Sequence, residues 1–158
     1  AGGASSCTPT EAYVHMKDGS GLKIAIEQAL RQAHIDAADL DLIIPHGTGI
    51  ARDDRVEAAV LQEVLGGAVE KVPVWPIKAQ VSHLGAAAGA MDLIAAVGAI
   101  RHGTIGAAYN FRSPADGCRL HFLKEPAQKE IRHVLCCGYS YGGQTAAVVL
   151  RKVSEASQ

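Results

Sequence analysis

Residues 40–49 read LDLIIPHGTG, a short apolar run followed by a histidine on a glycine-containing turn. The run over residues 40–45 has the length and the apolar character of a buried strand. Helical spacing of apolar residues precedes it over residues 21–33 and follows it over residues 55–65. A strand between two amphipathic helices predicts an α/β layer.

The rest of the chain continues this alternation. Residues 84–100 carry a single charge, Asp92, and predict a helix that is buried on most sides in a soluble core. Residues 78–83 are expected to form the loop before it. Residues 1–19 contain Gly, Ser, Thr and Pro9 and are expected to be irregular. Further strands are predicted over residues 72–77, 105–109, 119–123, 131–137 and 145–152, the last two as a hairpin.

Length and composition favour one globular domain that spans residues 1–158. Hydrophobic residues make up 48% of the chain and charged residues 20%, which is typical of a soluble, ordered protein. The formal net charge of −1 predicts neither a nucleic-acid partner nor an anionic membrane. Residues 84–100 are too short and too rich in Ala and Gly for a membrane span, which needs about 20 residues. Because Ala1-Gly2-Gly3-Ala4 shows no signal-peptide pattern, we expect a cytoplasmic protein.

The four cysteines are Cys7, Cys118, Cys136 and Cys137. Their spacing matches no zinc motif, so we expect reduced thiols that act as small core residues. Adjacent Cys136 and Cys137 would point to opposite faces of a strand. None of the seven histidines pairs at helical i, i+4 spacing, so the sequence predicts no metal site.

The first candidate functional loop is His46-Gly47-Thr48-Gly49, which directly follows the predicted strand. Loops at strand ends hold ligands and catalytic groups in open α/β sheets, so the His46 imidazole can face a cleft. Asp54 and Glu57 lie three residues apart and share one face of the next helix. They are either a helix cap and a surface charge, or carboxylates that bond back to the His46 loop or to a lysine.

The second candidate is the pair Lys78 and His83, five residues apart at the start of the apolar helix. The positive end of a helix dipole disfavours imidazolium, so a neutral His83 would donate a hydrogen bond to a developing oxyanion. Lys78 would then be a partly buried cation that orients the site. The alternative is a solvent-facing lysine and a capping histidine.

The third candidate is the turn Tyr139-Ser140-Tyr141-Gly142-Gly143 of the predicted hairpin. Glycine-rich turns expose backbone N–H groups that bind an oxyanion, and an aromatic beside paired glycines can swing as a gate. Taken alone, the stretch also fits an ordinary hairpin turn.

Together the three loops resemble the downstream half of the β-ketoacyl-acyl-carrier-protein synthases. In that family an Asp and a Glu follow the histidine of a His-Gly-Thr motif at offsets of eight and eleven, as Asp54 and Glu57 follow His46. A Lys, four residues and a His then precede a Gly/Ala-rich helix, as Lys78 and His83 do here. The family's Asn-Ser-Phe-Gly-Phe-Gly-Gly element aligns with residues 137–143.

The resemblance implies the C-terminal half of a thiolase-like α/β fold, with a mixed, mostly five-stranded sheet packed with helices. The implied catalytic residues are His46, His83 and Lys78, supported by Thr48, Asp54 and Glu57, with a gate and oxyanion hole at Tyr139, Ser140, Tyr141, Gly142 and Gly143. In the family His46 and His83 would stabilise an enolate oxygen or assist decarboxylation. Lys78 would orient His83 or Glu57 electrostatically.

The implied reaction is a decarboxylative Claisen condensation of an acyl thioester with malonyl-carrier protein, in fatty-acid or polyketide synthesis. The resemblance implies acyl carrier protein and acyl or malonyl thioesters as partners, and no cofactor. It also implies a complementary N-terminal half that carries a nucleophilic cysteine, which this sequence lacks. We therefore expect this chain alone to be inactive. The surface that would meet the other half favours a homo- or hetero-oligomer.

Several positions depart from the family pattern. Ser82 and Ser140 stand where Gly is usual, Tyr139 and Tyr141 where Phe is usual, and Cys137 where Asn is usual. Tyr141 occupies the position of the gating Phe, and its backbone N–H would help to form the oxyanion hole. Ser does not share the φ range of Gly, so we expect Ser140 to stiffen the gate. The phenols add polar groups where an acyl chain would pass.

Two alternatives stay open. A thiolase-type acyltransferase would use a cysteine near its C-terminus, and residues 135–138 (Leu-Cys-Cys-Gly) faintly match that pattern. However, Ser82-His83-Leu84 fits the Gly-His-Pro of thiolases poorly. A non-catalytic partner, like the chain-length-determining subunits of polyketide systems, would tend to lack the catalytic histidines, and this chain keeps both.

Overall fold

The N-terminal segment differs from the irregular lead-in that the sequence predicts. The computed structural model describes residues 2–7 and 18–153. Strand β1 (Gly2–Cys7) pairs antiparallel with the C-terminal strand β8 (Gln144–Arg151). Residues 2–7 are small and lack the β-branched and aromatic side chains typical of strands, so pairing with β8 rather than intrinsic propensity forms β1. Residues 8–17 of the predicted lead-in lie outside the described residues.

The described strands form one mixed sheet of six strands and a separate antiparallel pair. The order in the large sheet is β1-β8-β7-β2-β3-β5, with β2 at Leu42–Ile44, β3 at Pro73–Val74, β5 at His121–Phe122 and β7 at His133–Tyr139. Strand β2 runs parallel to β3 and β7, whereas β7 and β8 form the predicted antiparallel hairpin. The small pair consists of β4 (Thr104–Ile105) and β6 (Ala127–Gln128). The α/β class with a mixed sheet is confirmed, and β1 adds one strand to the five expected.

Helices cover both faces of the large sheet. They are α1 (Ser20–Ala33), α2 (Ala51–Leu65), α3 (Lys78–Val81) and α4 (Ala88–His102). Alternate residues of β2 enter two separate cores: Ile43 packs with α1 and α2, whereas Leu42 and Ile44 pack on the side of α4. Cys137 and Cys136 divide between the same two cores, so their predicted opposite orientation is confirmed. That the whole chain forms one domain stays a prediction.

The sequence predicts that α4 is buried on most sides, and this prediction is wrong. Its buried positions hold small or polar residues, Ala88, Asp92, Ala96 and Ala99. Its large apolar side chains face outward instead, with Ile94 65% exposed and Val97 55% exposed. Among the described residues, no helix has both the length and the apolar character needed to cross a membrane. The predicted cytoplasmic location stays a prediction.

Two local predictions around the site are also corrected. Helix α2 begins at Ala51, so Asp53 and Asp54 lie in its first turn and the N-cap residue is Ile50. Residues 78–83 are not wholly a loop, because the first four form the single helical turn α3.

Candidate active site

The His46 loop is fixed by a buried carboxylate of α2. Strand β2 ends at Ile44, and two residues later the backbone N–H of His46 donates a hydrogen bond to Oε1 of Glu57 at 2.7 Å. The N–H of Gly47 donates to Oε2 of Glu57 at 2.9 Å. Burial raises the pKa of Glu57 to about 7, and the two backbone donors oppose that rise. Of the alternatives for Glu57, the structure shows a carboxylate that bonds back to the histidine loop.

Asp54 holds the second half of the same loop. Its Oδ1 accepts hydrogen bonds from the backbone N–H groups of Thr48 (3.0 Å) and Gly49 (3.3 Å) and from Oγ1 of Thr48 (3.2 Å). Thr48 Oγ1 in turn accepts from the N–H of Ile50 at 3.0 Å, at the start of α2. Burial raises the pKa of Asp54, and its hydrogen bonds with Thr48 and Gly49 act in the opposite direction. Two carboxylates one helical turn apart therefore hold consecutive residues of the loop.

Lys78 is a buried cation whose direct partner is Asp92 of α4. The distance from Lys78 Nζ to Asp92 Oδ2 is 2.5 Å, and both side chains are buried. Burial raises the pKa of Asp92, and the bond with Lys78 opposes it. Lys78 also acts on Glu57 through space, where its charge lowers the pKa of that carboxyl. Asp92 is a site residue that was not predicted from the sequence, although a lone carboxylate in an apolar helix is a signal for one.

His83 lies across from His46, with the two Nε2 atoms 3.4 Å apart and the rings perpendicular at 89°. Its Nδ1 accepts a hydrogen bond from the backbone N–H of Gly85 at 3.1 Å. A ring nitrogen that accepts carries no proton, so this geometry corresponds to a neutral imidazole with its proton on Nε2. The proton of His83 therefore faces the space beside His46.

Ser82 connects α3 to His83 and has a backbone conformation that residues other than Gly rarely adopt. Its φ is 67° and its ψ is 170°. This conformation is strained for any L-residue. Ser82 N–H still closes the turn by donating to the carbonyl of Lys78 at 2.9 Å.

Tyr139 belongs to the histidine cluster rather than to the exposed turn. It is the last residue of β7 and only 5% exposed. Its ring centroid lies 4.2 Å from that of His46, and its hydroxyl donates to Oε2 of Glu57 at 3.4 Å. Tyr141, two residues further on, is 59% exposed.

The hairpin turn meets its conformational requirements with its two glycines. Gly142 and Gly143 have φ values of 87° and 82°. Ser140 is not among the residues with positive φ, so its backbone does not need the φ range that favours Gly. That Ser140 stiffens the gate stays a prediction. Ser140 Oγ instead donates to Oε1 of Gln144 at 2.8 Å, which ties the two sides of the turn together.

Comparison with known proteins now assigns the family. The model for the β-ketoacyl synthase C-terminal domain matches residues 1–112. The chain belongs to the β-ketoacyl synthase family. The match ends before the hairpin of β7 and β8.

Curated relatives extend the similarity of this β-ketoacyl synthase chain beyond the family match. The tetracenomycin polyketide synthase ketoacyl synthase alpha subunit of Streptomyces glaucescens is 35% identical over 139 residues, covering 87% of this chain and 33% of the relative. The 3-oxoacyl-[acyl-carrier-protein] synthase 2 of Coxiella burnetii is 30% identical over 137 residues, covering 86% and 33%. The chain thus spans about a third of the length of the curated relatives it matches.

Solved structures agree on the fold. A type II PKS acyl-carrier protein in complex with its ketosynthase bound to the hexaketide gives a TM-score of 0.89 at 24% identity, covering 97% of this chain and 38% of that one. The ishigamide ketosynthase/chain length factor gives 0.87 at 26% identity, covering 96% and 37%. The thiolase-like α/β fold of a ketosynthase C-terminal half is therefore confirmed.

A cleft of about 360 Å³ opens beside the histidines of the β-ketoacyl synthase chain. His46, Tyr139 and Ser140 contribute to one side of its lining. Small residues just before and at the start of α4 line another part, and further residues of the hairpin complete it: Gly85, Ala86, Ala88 and Gly89, with Gly138, Gln144, Thr145 and Ala146. The cleft leaves His46 accessible between the hairpin and α4.

The cysteines of β7 are poor candidates for a nucleophile. Burial raises the pKa of the Cys136 thiol to about 12, and it also raises the pKa of the Cys137 thiol well above its ordinary value. A nucleophilic thiol needs a lowered pKa and access to the cleft, so neither residue supports the thiolase alternative. Cys118 is partly exposed, and the side chain of Cys7 lies outside the described residues.

Proposed function

We propose that this chain supplies the histidine and lysine part of a site for decarboxylative Claisen condensation. The observation that carries the proposal is the facing pair of imidazoles, whose Nε2 atoms lie 3.4 Å apart beside an open cleft. Family membership and the relatives named above support the reaction class. The pathway, fatty-acid or polyketide, is left open because relatives of both kinds match.

In the proposed reaction a malonyl thioester loses CO₂, and the electron pair of the broken C–C bond moves onto the thioester carbonyl to give an enolate. His83, with its proton on Nε2, donates a hydrogen bond to that oxygen together with His46. The enolate carbon then attacks the acyl thioester of the nucleophilic cysteine, forming the new C–C bond, and the cysteine leaves as thiolate. A neutral donor suits this role because it stabilises the enolate without a charge that must be desolvated.

Lys78 is proposed as the buried cation whose positive charge acts on the groups around the two histidines. Its ion pair with Asp92 keeps it beside the site, and its charge also acts on Glu57. The backbone N–H of Tyr141, on the exposed turn, would complete an oxyanion hole with that of the cysteine of the other half. Tyr141 would also act as the gate over the cleft, since its side chain is exposed.

A complementary N-terminal half is the proposed partner. The chain spans about a third of its relatives, and the outward-facing Ile94 and Val97 of α4 form an apolar surface that a second half would cover. Acyl carrier protein is the proposed carrier of the substrates, as the ketosynthase complex with its acyl-carrier protein suggests. We expect no condensation by this chain alone.

Complementation tests the proposal. This chain is mixed with the N-terminal half of the S. glaucescens relative, and CO₂ release and condensation from malonyl-carrier protein are measured. We expect activity that needs both halves and that falls about a hundredfold or more in His46→Ala and His83→Ala. The matched control His102→Ala removes an exposed histidine at the end of α4 and should leave activity unchanged.

Two outcomes would contradict the proposal. If the His46→Ala variant associates stably and turns over as fast as the wild type, the chain is a non-catalytic partner. A chain length factor, as named in the ishigamide ketosynthase/chain length factor, is the kind of subunit meant. Association with no turnover in the wild type would also favour that non-catalytic role.

A further inference from the structure

Tyr139 carries a hydroxyl at a position where the resemblance leads us to expect Phe. The residue is 5% exposed and ends β7, where it pairs with the buried Thr145 of β8. A buried phenol oxygen needs a hydrogen-bond partner, because leaving it unpaired costs free energy. The partner it reaches is therefore informative about its role.

One partner is the carboxylate that fixes the His46 loop, and Thr48 of the same loop also hydrogen-bonds the phenol. Glu57 Oε1 accepts from the backbone N–H of His46, and Oε2 accepts from the N–H of Gly47 and from the hydroxyl of Tyr139. The Tyr139 ring also packs against the His46 imidazole, with centroids 4.2 Å apart. One side chain thus contacts both the histidine and the group that positions its backbone.

We propose that Tyr139 is a positioning residue for His46: its hydroxyl keeps Glu57 in the form that accepts two backbone N–H groups, and its ring supports the imidazole. The inference rests on the proposed function only for its effect on catalysis. The hydrogen bond and its effect on Glu57 stand independently of what the site does.

The ionisation of Glu57 explains why the hydroxyl matters. An ionised carboxylate accepts at both oxygens, whereas a protonated one turns one oxygen into a donor and cannot serve both N–H groups equally well. A Phe would keep the ring contact but not the donated hydrogen bond. The charges that act on Glu57 are Asp54 of α2 and Lys78 of α3, and the other titratable groups beside it are His46 and, on β7, Tyr139 and Cys137. Asp53 acts on Tyr139.

The test measures the titration of Glu57 in the 158-residue chain by NMR of ¹³C-labelled glutamate carboxyl groups, with Glu57→Gln to assign the signal. In Tyr139→Phe we expect the midpoint to move upward by about half to one pH unit, since a donor to the charged form is lost. Tyr109→Phe, the same change at an exposed tyrosine, should leave the midpoint where it is. An unchanged midpoint in Tyr139→Phe would overturn the proposal.

A second variant guards against a folding defect. Replacing Tyr139 by 3-fluorotyrosine keeps the size of the ring and makes the hydroxyl a stronger donor, so the midpoint should move downward. A shift in the same direction as in Tyr139→Phe would contradict the proposed hydrogen bond.

The reconstituted enzyme supplies the catalytic readout. In Tyr139→Phe the acid limb of kcat/KM should move upward by the same interval as the Glu57 midpoint, and adding Glu57→Gln should abolish that shift. If the wild-type mixture is inactive, the proposed function fails, while the NMR titration still decides the contact between Tyr139 and Glu57.

Discussion

The two histidines of the site are held in opposite ways. His46 is buried, and its backbone is anchored by a carboxylate of α2 beneath it. His83 is exposed and is reached through Ser82, whose φ of 67° is a strained conformation. The buried pair Lys78 and Asp92 stands at the base of that short segment.

The difference teaches where positional precision in this site comes from. His46 takes its place from the sheet and from α2, which pack in the larger core. His83 depends on one ion pair and a few residues between α3 and α4. Disturbing the Lys78 pair should therefore affect the His83 side, and disturbing Glu57 should affect the His46 side.

The largest expected effect is on the His83 side. Lys78→Met leaves the carboxylate of Asp92 buried without its cation, so the free energy of unfolding should fall by about 3–5 kcal/mol. Urea denaturation at pH 7 measures the loss. The double variant Lys78→Met with Asp92→Leu removes both charges and should recover most of it. A single variant that is no less stable than the double one would show that the pair does not support this segment.

A smaller effect concerns the His46 side and its pH dependence. The pKa of Glu57 is about 7 in the folded chain against an ordinary value of 4.5, so between these values the folded state holds a proton that the unfolded chain releases. The free energy of unfolding should therefore fall as pH rises through this window, by about 3 kcal/mol in all, and stay level on either side. Urea denaturation of wild type and Glu57→Gln isolates this term as their difference. The wild-type free energy of unfolding minus that of Glu57→Gln should fall as pH rises. A rise in this value would contradict a buried carboxyl that holds its proton.

The smallest expected effect is on the free energy of unfolding at two serines, Ser82 and Ser140, which both stand where the family has Gly. Ser82→Gly should raise the free energy of unfolding by about 1 kcal/mol, because Gly adopts the observed φ without strain. Ser140→Gly should give no gain and a loss of about 0.5 kcal/mol, because Ser140 has no positive φ and bonds Gln144. Thermal or urea denaturation of both variants decides it. Equal gains at the two positions would show that strain at Ser82 is not the cause.

Much of the fold could be predicted from the sequence. The apolar run at residues 40–45 contains β2, and the helical spacing in residues 21–33 corresponds to α1, because both patterns come from short-range periodicity and length. The contacts of Asp54 and Glu57 with the His46 loop could also be predicted from their offsets. A helix that follows a short loop places the side chains of its first two turns next to that loop.

What could not be predicted depends on contacts distant in sequence. Strand β1 has no strand-like side chains and exists through pairing with β8, more than a hundred residues away. The partner of Lys78 lies on a different helix. Tyr139 looks like part of a glycine-rich turn in the sequence, but the strand continues through it and turns its ring to His46. The roles of the site residues stay predictions.

Helix α4 has a consequence for the order in which this chain loses its structure. Its fully buried positions are alanines and one aspartate, and Ile100 is only partly buried, so α4 buries less apolar surface than α1, which buries Leu22, Ile26 and Leu30. Backbone amides exchange with deuterium through local opening, and opening is easiest where little apolar surface is buried. In the isolated chain the amides of α4 should exchange well before those of α1, and a protein that covers Ile94 and Val97 should slow α4 alone. Among the described helices, α4 exposes the most large apolar side chains, so a covering protein would change its exchange more than that of any other helix.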